Sequence, residues 1–359
     1  MKRTRPTFSP RQESAFSPHS RWRAWALSSP ATLGSLGRVV PVSVALSVVL
    51  WGMGACSSET DSPIDGLTPI DEGTDPVEPI EPGPGVTDPS RPSVCAAGSQ
   101  WIYLIDINYR LVRFRPDVPS LEVLGEPECP REDLAATPYA MSVSQDGEAW
   151  VSYTDQRIYR VEIDTLECRA TSAADNDARI AAGRGFTTLA FSLDPATGRE
   201  RVYTLGSSEG GGEIGLPGYI DPETEAFSPS DAASIGGHPE ITGNRAGRLF
   251  VFAPPRSSPE SRVLEVAPAS FSVIAEQTLL GLEPSVGEGI LTWAFANWDG
   301  WIYFFWKPAQ AAASSIYRIP AADIRRGSSV TAERVDIDTQ GLAIVGAGVS
   351  ICAPTGTLI

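Results

Sequence analysis

The sequence predicts an all-β domain built from repeated units, and two observations support this fold class. The chain of 359 residues contains 33 glycines and 31 prolines, so turns are frequent and long helices are disfavoured. In addition, a glycine-centred motif recurs five times within residues 95–359, each time before a short run of β-branched or aromatic residues. Such runs are typical of strands, and their regular return predicts one repeated supersecondary unit.

The recurrent motif has the composition of a hairpin turn. It occurs as AAGSQWIY (96–103), SQDGEAWV (144–151), DPATGRERVY (194–203), NRAGRLFVF (244–252) and NWDGWIYFF (297–305). The glycines at 98, 147, 198, 247 and 300 are 49, 51, 49 and 53 residues apart. A glycine close to Asp, Asn or Ser marks a turn in which one residue adopts positive φ. We therefore assign Asp146 and Gly147 to a turn and Trp150 to a strand, and we expect Glu148 to be solvated.

A second strand-like run follows each motif at a similar distance. These runs are RLVRF (110–114), IYRVEID (158–164), GYIDPET (218–224), RVLEV (262–266) and IYRIPAAD (316–323). With one strand before the glycine and one after the second run, each unit is a four-stranded antiparallel meander of about 50 residues, which is the size of a propeller blade. In this repeat organisation, residues 95–359 resemble bacterial β-propeller repeat proteins. We predict five blades, with six or seven as the alternatives.

The amino terminus has the composition of an export signal. Residues 1–56 contain seven basic residues and one acidic residue, and residues 39–55 form an apolar run of 17 residues, shorter than the roughly 20 that span a bilayer as a helix. We interpret residues 1–55 as a signal peptide, with a translation start that lies further downstream. The sequence MGAC at 53–56 resembles the lipobox of bacterial lipoproteins, which implies lipidation of Cys56, and Ser57 implies sorting to the outer membrane. An uncleaved signal anchor is the alternative.

Residues 56–94 are predicted to be a disordered tether between Cys56 and the repeat domain. Segment 57–93 contains eight prolines, nine acidic residues and one arginine, too little apolar surface for a core. Removing the seven basic residues and one acidic residue of segment 1–56 from the 28 and 44 of the whole chain leaves 21 and 43, a formal charge of −22. Such a surface repels phosphate, so we expect no nucleic-acid partner. We also expect a monomer.

The ends of the repeat region predict how the ring closes. No inner strand fits before Gly98, whereas residues 341–354 are an apolar strand without a blade of their own. A C-terminal strand that completes the first blade removes the open sheet edges. An exported chain with four cysteines after Cys56 is expected to form two disulfides. Ring closure selects Cys95 with Cys352, which leaves Cys129 with Cys168; four unpaired buried thiols are the alternative.

The chemistry-bearing residues match no catalytic motif. His238 is the single histidine after Cys56, which excludes zinc sites with two or three histidines. Oxygen ligands at Asp175, Asn176 and Asp177 allow weak calcium binding, and otherwise we expect no metal and no cofactor. The aromatic run at 291–306 is expected to pack in the core, with a carbohydrate platform as the alternative.

A propeller collects the loops between blades, and those between second and third strands, on one face around its channel, and we predict that a ligand binds there. The polar residues of the loops between blades are Arg131, Asp133, Tyr139, Asp175, Asp177, Arg179, Arg184, His238, Glu240, Glu283 and Glu288. Carboxylates and arginines interspersed around a rim suit a polar glycan or a protein loop.

Three functions fit the sequence. The favoured one is a lipoprotein of the cell envelope whose propeller is a ligand-binding or protein-binding scaffold and not an enzyme. The second is a carbohydrate-active lyase or hydrolase that works through carboxylates or His238. The third is a structural factor in outer-membrane assembly. The protein would be lipid-anchored to the outer membrane, on its periplasmic side or at the cell surface.

Overall fold

The computed structural model describes residues 95–172, 184–208, 214–236, 238–254, 260–282, 289–324 and 328–356. Within these ranges the chain forms a β-propeller of five blades, which confirms the predicted fold class and blade number. The signal segment, Cys56 and the tether lie outside the described residues. In the described part, no helix has the length and apolar character needed to cross a bilayer.

The first three blades follow the order of the chain. Blade I contains β1 (Ile102–Asp106), β2 (Leu111–Arg115) and β3 (Ser120–Gly125). Blade II contains β4 (Pro138–Val143), β5 (Glu148–Tyr153), β6 (Ile158–Glu162) and β7 (Cys168–Ala170). Blade III contains β8 (Arg184–Leu193), β9 (Glu200–Ser208), β10 (Ile214–Ile220) and β11 (Phe227–Pro229).

The remaining strands complete the ring. Blade IV contains β12 (Glu240–Gly243), β13 (Leu249–Ala253), β14 (Ser261–Val266) and β15 (Val273–Leu280). Blade V begins with β16 (Ile290–Trp298), β17 (Trp301–Pro308) and β18 (Ser315–Pro320), and a short 3-10 helix (Ala321–Asp323) follows. The last strands are β19 (Ser328–Thr331), β20 (Glu333–Val335) and β21 (Ile344–Gly348). β20 is the outer strand of blade V.

The recurrent glycines adopt the backbone conformation that their motif predicts. Gly98, Gly147, Gly198, Gly247 and Gly300 have φ values of 84°, 83°, 65°, 69° and 77°. Each lies in the turn that leads into the second strand of a blade. Because residues with a Cβ are strained at positive φ, this position explains why glycine returns in every repeat.

Ring closure follows the predicted route. β21 pairs antiparallel with β1, from Tyr103 opposite Gly348 to Asp106 opposite Ile344, so the end of the chain supplies the inner strand of blade I. β21 also packs tightly against blade II, since a Cβ at Gly348 would lie 2.4 Å from Ser142 Cα.

Both predicted disulfides are present: Cys95 and Cys352 have Cα atoms 5.9 Å apart, and Cys129 and Cys168 have Cα atoms 4.9 Å apart.

Hydrogen bonds join the inner parts of neighbouring blades at every junction of the ring. Their donors and acceptors lie on the inner strands or in the turns beside them. They are Ser142 Oγ to the Val349 carbonyl (3.5 Å), the Phe191 amide to Ser142 Oγ (2.9 Å), Ser192 Oγ to the Asn244 carbonyl (2.9 Å), Asn297 Nδ2 to the Gly243 carbonyl (2.7 Å) and Trp298 Nε1 to the Gln100 carbonyl (2.8 Å). The inner polar groups are thus satisfied by the blade next to them.

Two features of the blades differ from the sequence interpretation. β19 pairs in parallel with β15, so blade IV gains a fifth strand from the segment that links β18 and β20 of blade V. The expectation that Glu148 is solvated was wrong, because its side chain is buried and ion-paired with Arg160. Arg160 in turn bonds Glu225 of blade III at 3.1 Å, which places this cluster at a junction between blades.

Replacing Cys95 and Cys352 together by serine is expected to lower the free energy of unfolding more than the same change at Cys129 and Cys168. The two bridges span 257 and 39 residues. Loop-closure entropy grows with loop length, and it gives upper estimates of about 5.5 and about 4 kcal/mol. Urea unfolding followed by tryptophan fluorescence measures both losses. A larger loss for the Cys129 and Cys168 pair would contradict the role of the first bridge in ring closure.

Candidate functional site

A pocket of about 160 Å³ lies at the mouth of the central channel. It is formed where four inner strands begin: Pro138 and Tyr139 on β4, Glu240 on β12, Leu291 to Trp293 on β16, and Val345 on β21. Ile107 and Thr137, which lie outside the strands, complete its lining. The pocket therefore combines residues from four blades, and the loops between blades lead directly to it.

Glu240 is a buried acid that has no partner among the described residues. It is 5% exposed, it lines the pocket, and no described residue gives its carboxyl group a hydrogen bond or an ion pair. Across the strands it is opposite Phe252, whose ring packs against Phe295 and Trp306 with centroids 5.9 and 6.1 Å away. Burial in these surroundings raises the pKa of Glu240 well above its usual value of 4.5, because removal from water disfavours the charged form.

Thr292 supplies a second unsatisfied polar group to the same pocket. The residue is 6% exposed, and its Oγ1 atom is buried without a hydrogen-bond partner in the described structure. The nearest cation along the ladder is Lys307, opposite Thr292 on β17, whose Nζ donates to the Ala311 carbonyl. Buried polar atoms are rarely left without partners in folded proteins. Because Thr292 Oγ1 is enclosed by protein atoms, Glu240 is the lining group that is placed to pair with a molecule entering from outside.

The rest of the pocket is apolar and aromatic. Tyr139 of blade II and Trp293 of blade V are both half-buried and line it from different sides of the channel. Leu291 is 49% exposed at the rim. None of the described lining residues is basic, and Glu240 is the single carboxylate among them. At roughly 30 Å³ per water molecule, the volume accommodates about five waters or a small organic group.

The structure brings two of the sequence-predicted face residues together, Tyr139 and Glu240. Arg131 instead donates to the Ala136 carbonyl at 3.0 Å and lies over the ring of Tyr109. Asp133 is exposed and accepts a hydrogen bond from the Ala135 amide at 2.8 Å. His238 is half-buried and is not part of the pocket lining.

The other predicted face residues lie at the start of a strand or outside the described residues. Arg184 is the first residue of β8. Asp175, Asp177, Arg179, Glu283 and Glu288 lie outside the described residues, as does the weak calcium site at 175–177. Within the described part of the chain, no three His, Cys, Asp or Glu residues converge on a point where a metal ion could bind.

Sequence reasoning missed Thr292 and Trp293 as site residues. Both belong to the aromatic run at 291–306, most of which is core as expected: Phe295, Phe304 and Trp306 are fully buried. The pairing of β16 with β17 is irregular between Ile290 and Thr292. Strict alternation therefore does not hold at the start of β16, and the sequence carries no signal for this bulge.

Comparisons with known proteins assign neither a family nor an activity. No protein-family model and no curated protein matches the chain. A solved Bacteroides caccae protein of unknown function is 11% identical over 69% of this chain and 98% of its own, with a TM-score of 0.36. An α-L-arabinofuranosidase from Clostridium thermocellum is 13% identical over 60% of this chain and 73% of its own (TM-score 0.35). YCF48 from Cyanidioschyzon merolae is 12% identical over 60% of this chain and 59% of its own (TM-score 0.33).

The substitution Glu240→Gln is expected to stabilise the protein increasingly as the pH rises above about 4.5. Below that pH the carboxyl is protonated in both the folded and the unfolded state. Above it the unfolded chain loses the proton, whereas the folded protein keeps the proton to a higher pH because burial raises the pKa of Glu240. Glutamine does not titrate, so its folding is not penalised as the pH rises. Each unit of difference between the folded and unfolded pKa of Glu240 corresponds to about 1.4 kcal/mol of unfolding free energy. Urea unfolding of both proteins from pH 4 to pH 8 measures the difference.

The matched control is Glu128→Gln, because Glu128 is exposed. Its unfolding free energy should follow that of the unaltered protein at every pH. A constant difference between the Glu240→Gln variant and the unaltered protein across this range would mean that the Glu240 carboxyl is not desolvated.

Proposed function

We propose that the protein is a lipid-anchored cell-envelope protein whose propeller binds a ligand at the mouth of its channel. The observation that carries the binding function is the pocket lined by Glu240, which is buried and has no partner among the described residues. Leaving such a group unsatisfied costs roughly 1–3 kcal/mol in proteins, and a bound ligand that pairs with it offsets this cost. The ring of blades holds Glu240 in place before the ligand arrives, which favours binding.

The proposed location rests on the amino-terminal sequence and on the cysteines. The apolar run at 39–55, the MGAC sequence and the acidic, proline-rich segment at 57–93 support export, lipidation at Cys56 and a spacer between lipid and domain. The two disulfides agree with an oxidising compartment outside the cytosol. Electrostatics favours cationic or neutral ligands over nucleic acids, since the chain after residue 56 has a formal charge of −22.

A second candidate function is hydrolysis or lyase chemistry on a carbohydrate. The raised pKa of Glu240 favours it, because burial that holds a carboxyl in its protonated form suits a general acid. Glycosidases commonly pair such an acid with a second carboxylate. The described lining contains Glu240 as its one carboxylate, so binding without catalysis is the better-supported function.

The substitution Cys56→Ser is expected to release the protein from membranes. With a lipidated cysteine, intact mass spectrometry of the exported protein should give an amino terminus at residue 56 that carries acyl chains. The serine variant should be recovered in the soluble fraction or keep an uncleaved leader. An exported protein with an unmodified Cys56 would remove the anchor from the proposal and leave the binding pocket unaffected.

The substitution Leu291→Arg is expected to reduce ligand capture by at least about tenfold, because a bulky charge at the rim obstructs the pocket. Leu291 is 49% exposed, so the change leaves the core intact. The matched control is Leu134→Arg: Leu134 is 80% exposed and does not line the pocket. Capture is measured by pulldown from solubilised envelope and by binding to a glycan array. Equal capture by the two variants would place the binding site elsewhere.

A further inference from the structure

We infer that the pocket binds an alkylammonium group, as found in a lysine side chain or a small amine, and that Glu240 is the counter-ion of this group. The inference rests on the proposed binding function and specifies the chemistry of the same pocket. Three observations support it: the exceptional position of Glu240 among the buried acids, the composition of the lining, and the size of the pocket.

Glu240 is the exception among the buried carboxylates of the described chain. Asp106 accepts hydrogen bonds from the Arg110 side chain, and Asp194 forms an ion pair with Arg201 at 2.9 Å. Glu148 is ion-paired with Arg160, and Glu200 accepts the Gln145 amide at 2.9 Å. Elsewhere, then, this fold gives each buried acid a cation or an N–H donor. At Glu240 the described residues provide none, so the ligand is expected to bring the missing positive charge.

The lining around Glu240 also favours a cation. A positive charge near the faces of aromatic rings is attracted to them, and Tyr139 and Trp293 both line the pocket. The same preference is visible elsewhere in the domain, where the guanidinium groups of Arg318 and Arg201 lie 4.3 and 4.6 Å from ring centroids. None of the described lining residues is basic, so an anionic ligand would find no counter-ion among them.

Size and donor count favour an alkylammonium over a guanidinium. The ammonium is a compact charge with three N–H donors, and one of them can reach the Glu240 carboxylate. A guanidinium has five donors in a planar fork, more than the described polar groups of this pocket can satisfy. The apolar residues Ile107, Pro138 and Val345 provide surface for the alkyl chain.

Binding of a cation is linked to loss of the Glu240 proton, so affinity should rise with pH. The other titratable group in the described lining is Tyr139. Of the charged residues on elements near Glu240, Lys307 is bound to the Ala311 carbonyl, Arg184 is at the start of β8, and His238 lies two residues before Glu240 outside the lining. A neutral ligand would show the opposite trend, because it would accept a hydrogen bond from the protonated carboxyl.

The experiment is calorimetric titration of the full-length protein in detergent with n-butylamine, n-butanol and butyrate, which have similar size but differ in charge. The amine is expected to bind at least about tenfold more tightly than the other two, with up to about tenfold gain in affinity per pH unit between pH 5.5 and 8 and with proton release to the buffer. A parallel titration with Nα-acetyl-lysine methylamide distinguishes the two sources of the alkylammonium group. Tighter binding than that of butylamine indicates a lysine of a partner protein, and weaker binding indicates a small amine.

Variants separate this inference from the proposed function. Glu240→Gln should lose amine binding by at least about tenfold while staying folded in urea titrations, and Glu128→Gln should bind as the unaltered protein does. Overturning results would be butanol binding as tightly as the amine, affinity that falls as the pH rises, or no binding of any probe. If capture from envelope extracts still depends on Leu291 in these cases, the binding function stands and only the ammonium assignment fails. If that dependence is also absent, both fail.

Discussion

The ring depends on one antiparallel contact, the pairing of β21 with β1. These strands join residues that are about 240 positions apart, as in the pair of Tyr103 with Gly348. Without it, blade I would lack its inner strand and blade II would lose the neighbour against which β4 packs. The close approach at Gly348 makes this contact sterically demanding, since backbone atoms of β4 occupy the space where a side chain would be. Closure is therefore a matter of shape as much as of hydrogen bonds.

The pocket is a consequence of how the inner strands converge. Four of them begin at the same end of the channel, and the residues there leave a space between them that the core side chains do not fill. Burial of Glu240 beside the Phe252 aromatic cluster is unfavourable for the isolated domain, because the carboxyl must remain protonated or lose hydration without compensation. A fold that keeps such a group in a rigid position stores free energy that a complementary ligand can recover.

The sequence predicted those parts of the fold that depend on local backbone conformation or on covalent pairing. Positive φ at the recurrent glycines leaves a compositional signal at every repeat, and the isolated apolar segment at 341–354 identifies the closing strand. Pairing of the cysteines followed from closure. By contrast, the parallel addition of β19 to blade IV joins segments of two different repeats, and no local pattern encodes it.

The site was less accessible to prediction for a related reason. Tyr139 and Glu240 stood out as polar residues in loops between blades, but Thr292 and Trp293 lie within an apolar run, where periodicity assigns them to the core. For Glu148 the error had the opposite sign. Its position next to a turn predicted a solvated side chain, but it is buried in ion pairs with Arg160 and Arg169 from the outer strands of its blade. Burial of a polar group depends on partners distant in sequence, and a single sequence does not reveal them.

The position of the Cys95–Cys352 disulfide would have a mechanical consequence if the protein carries the anchor that we propose. The chain enters the domain at Cys95, and Cys352 lies four residues beyond the end of β21. A force transmitted along the polypeptide before Cys95 is passed through the covalent bridge to the closing segment, so it acts on both ends of the ring together. Pulling would then move the domain as one body. In a protein with this disulfide reduced, the load would instead act on the β1–β21 ladder, and its hydrogen bonds would break one after another.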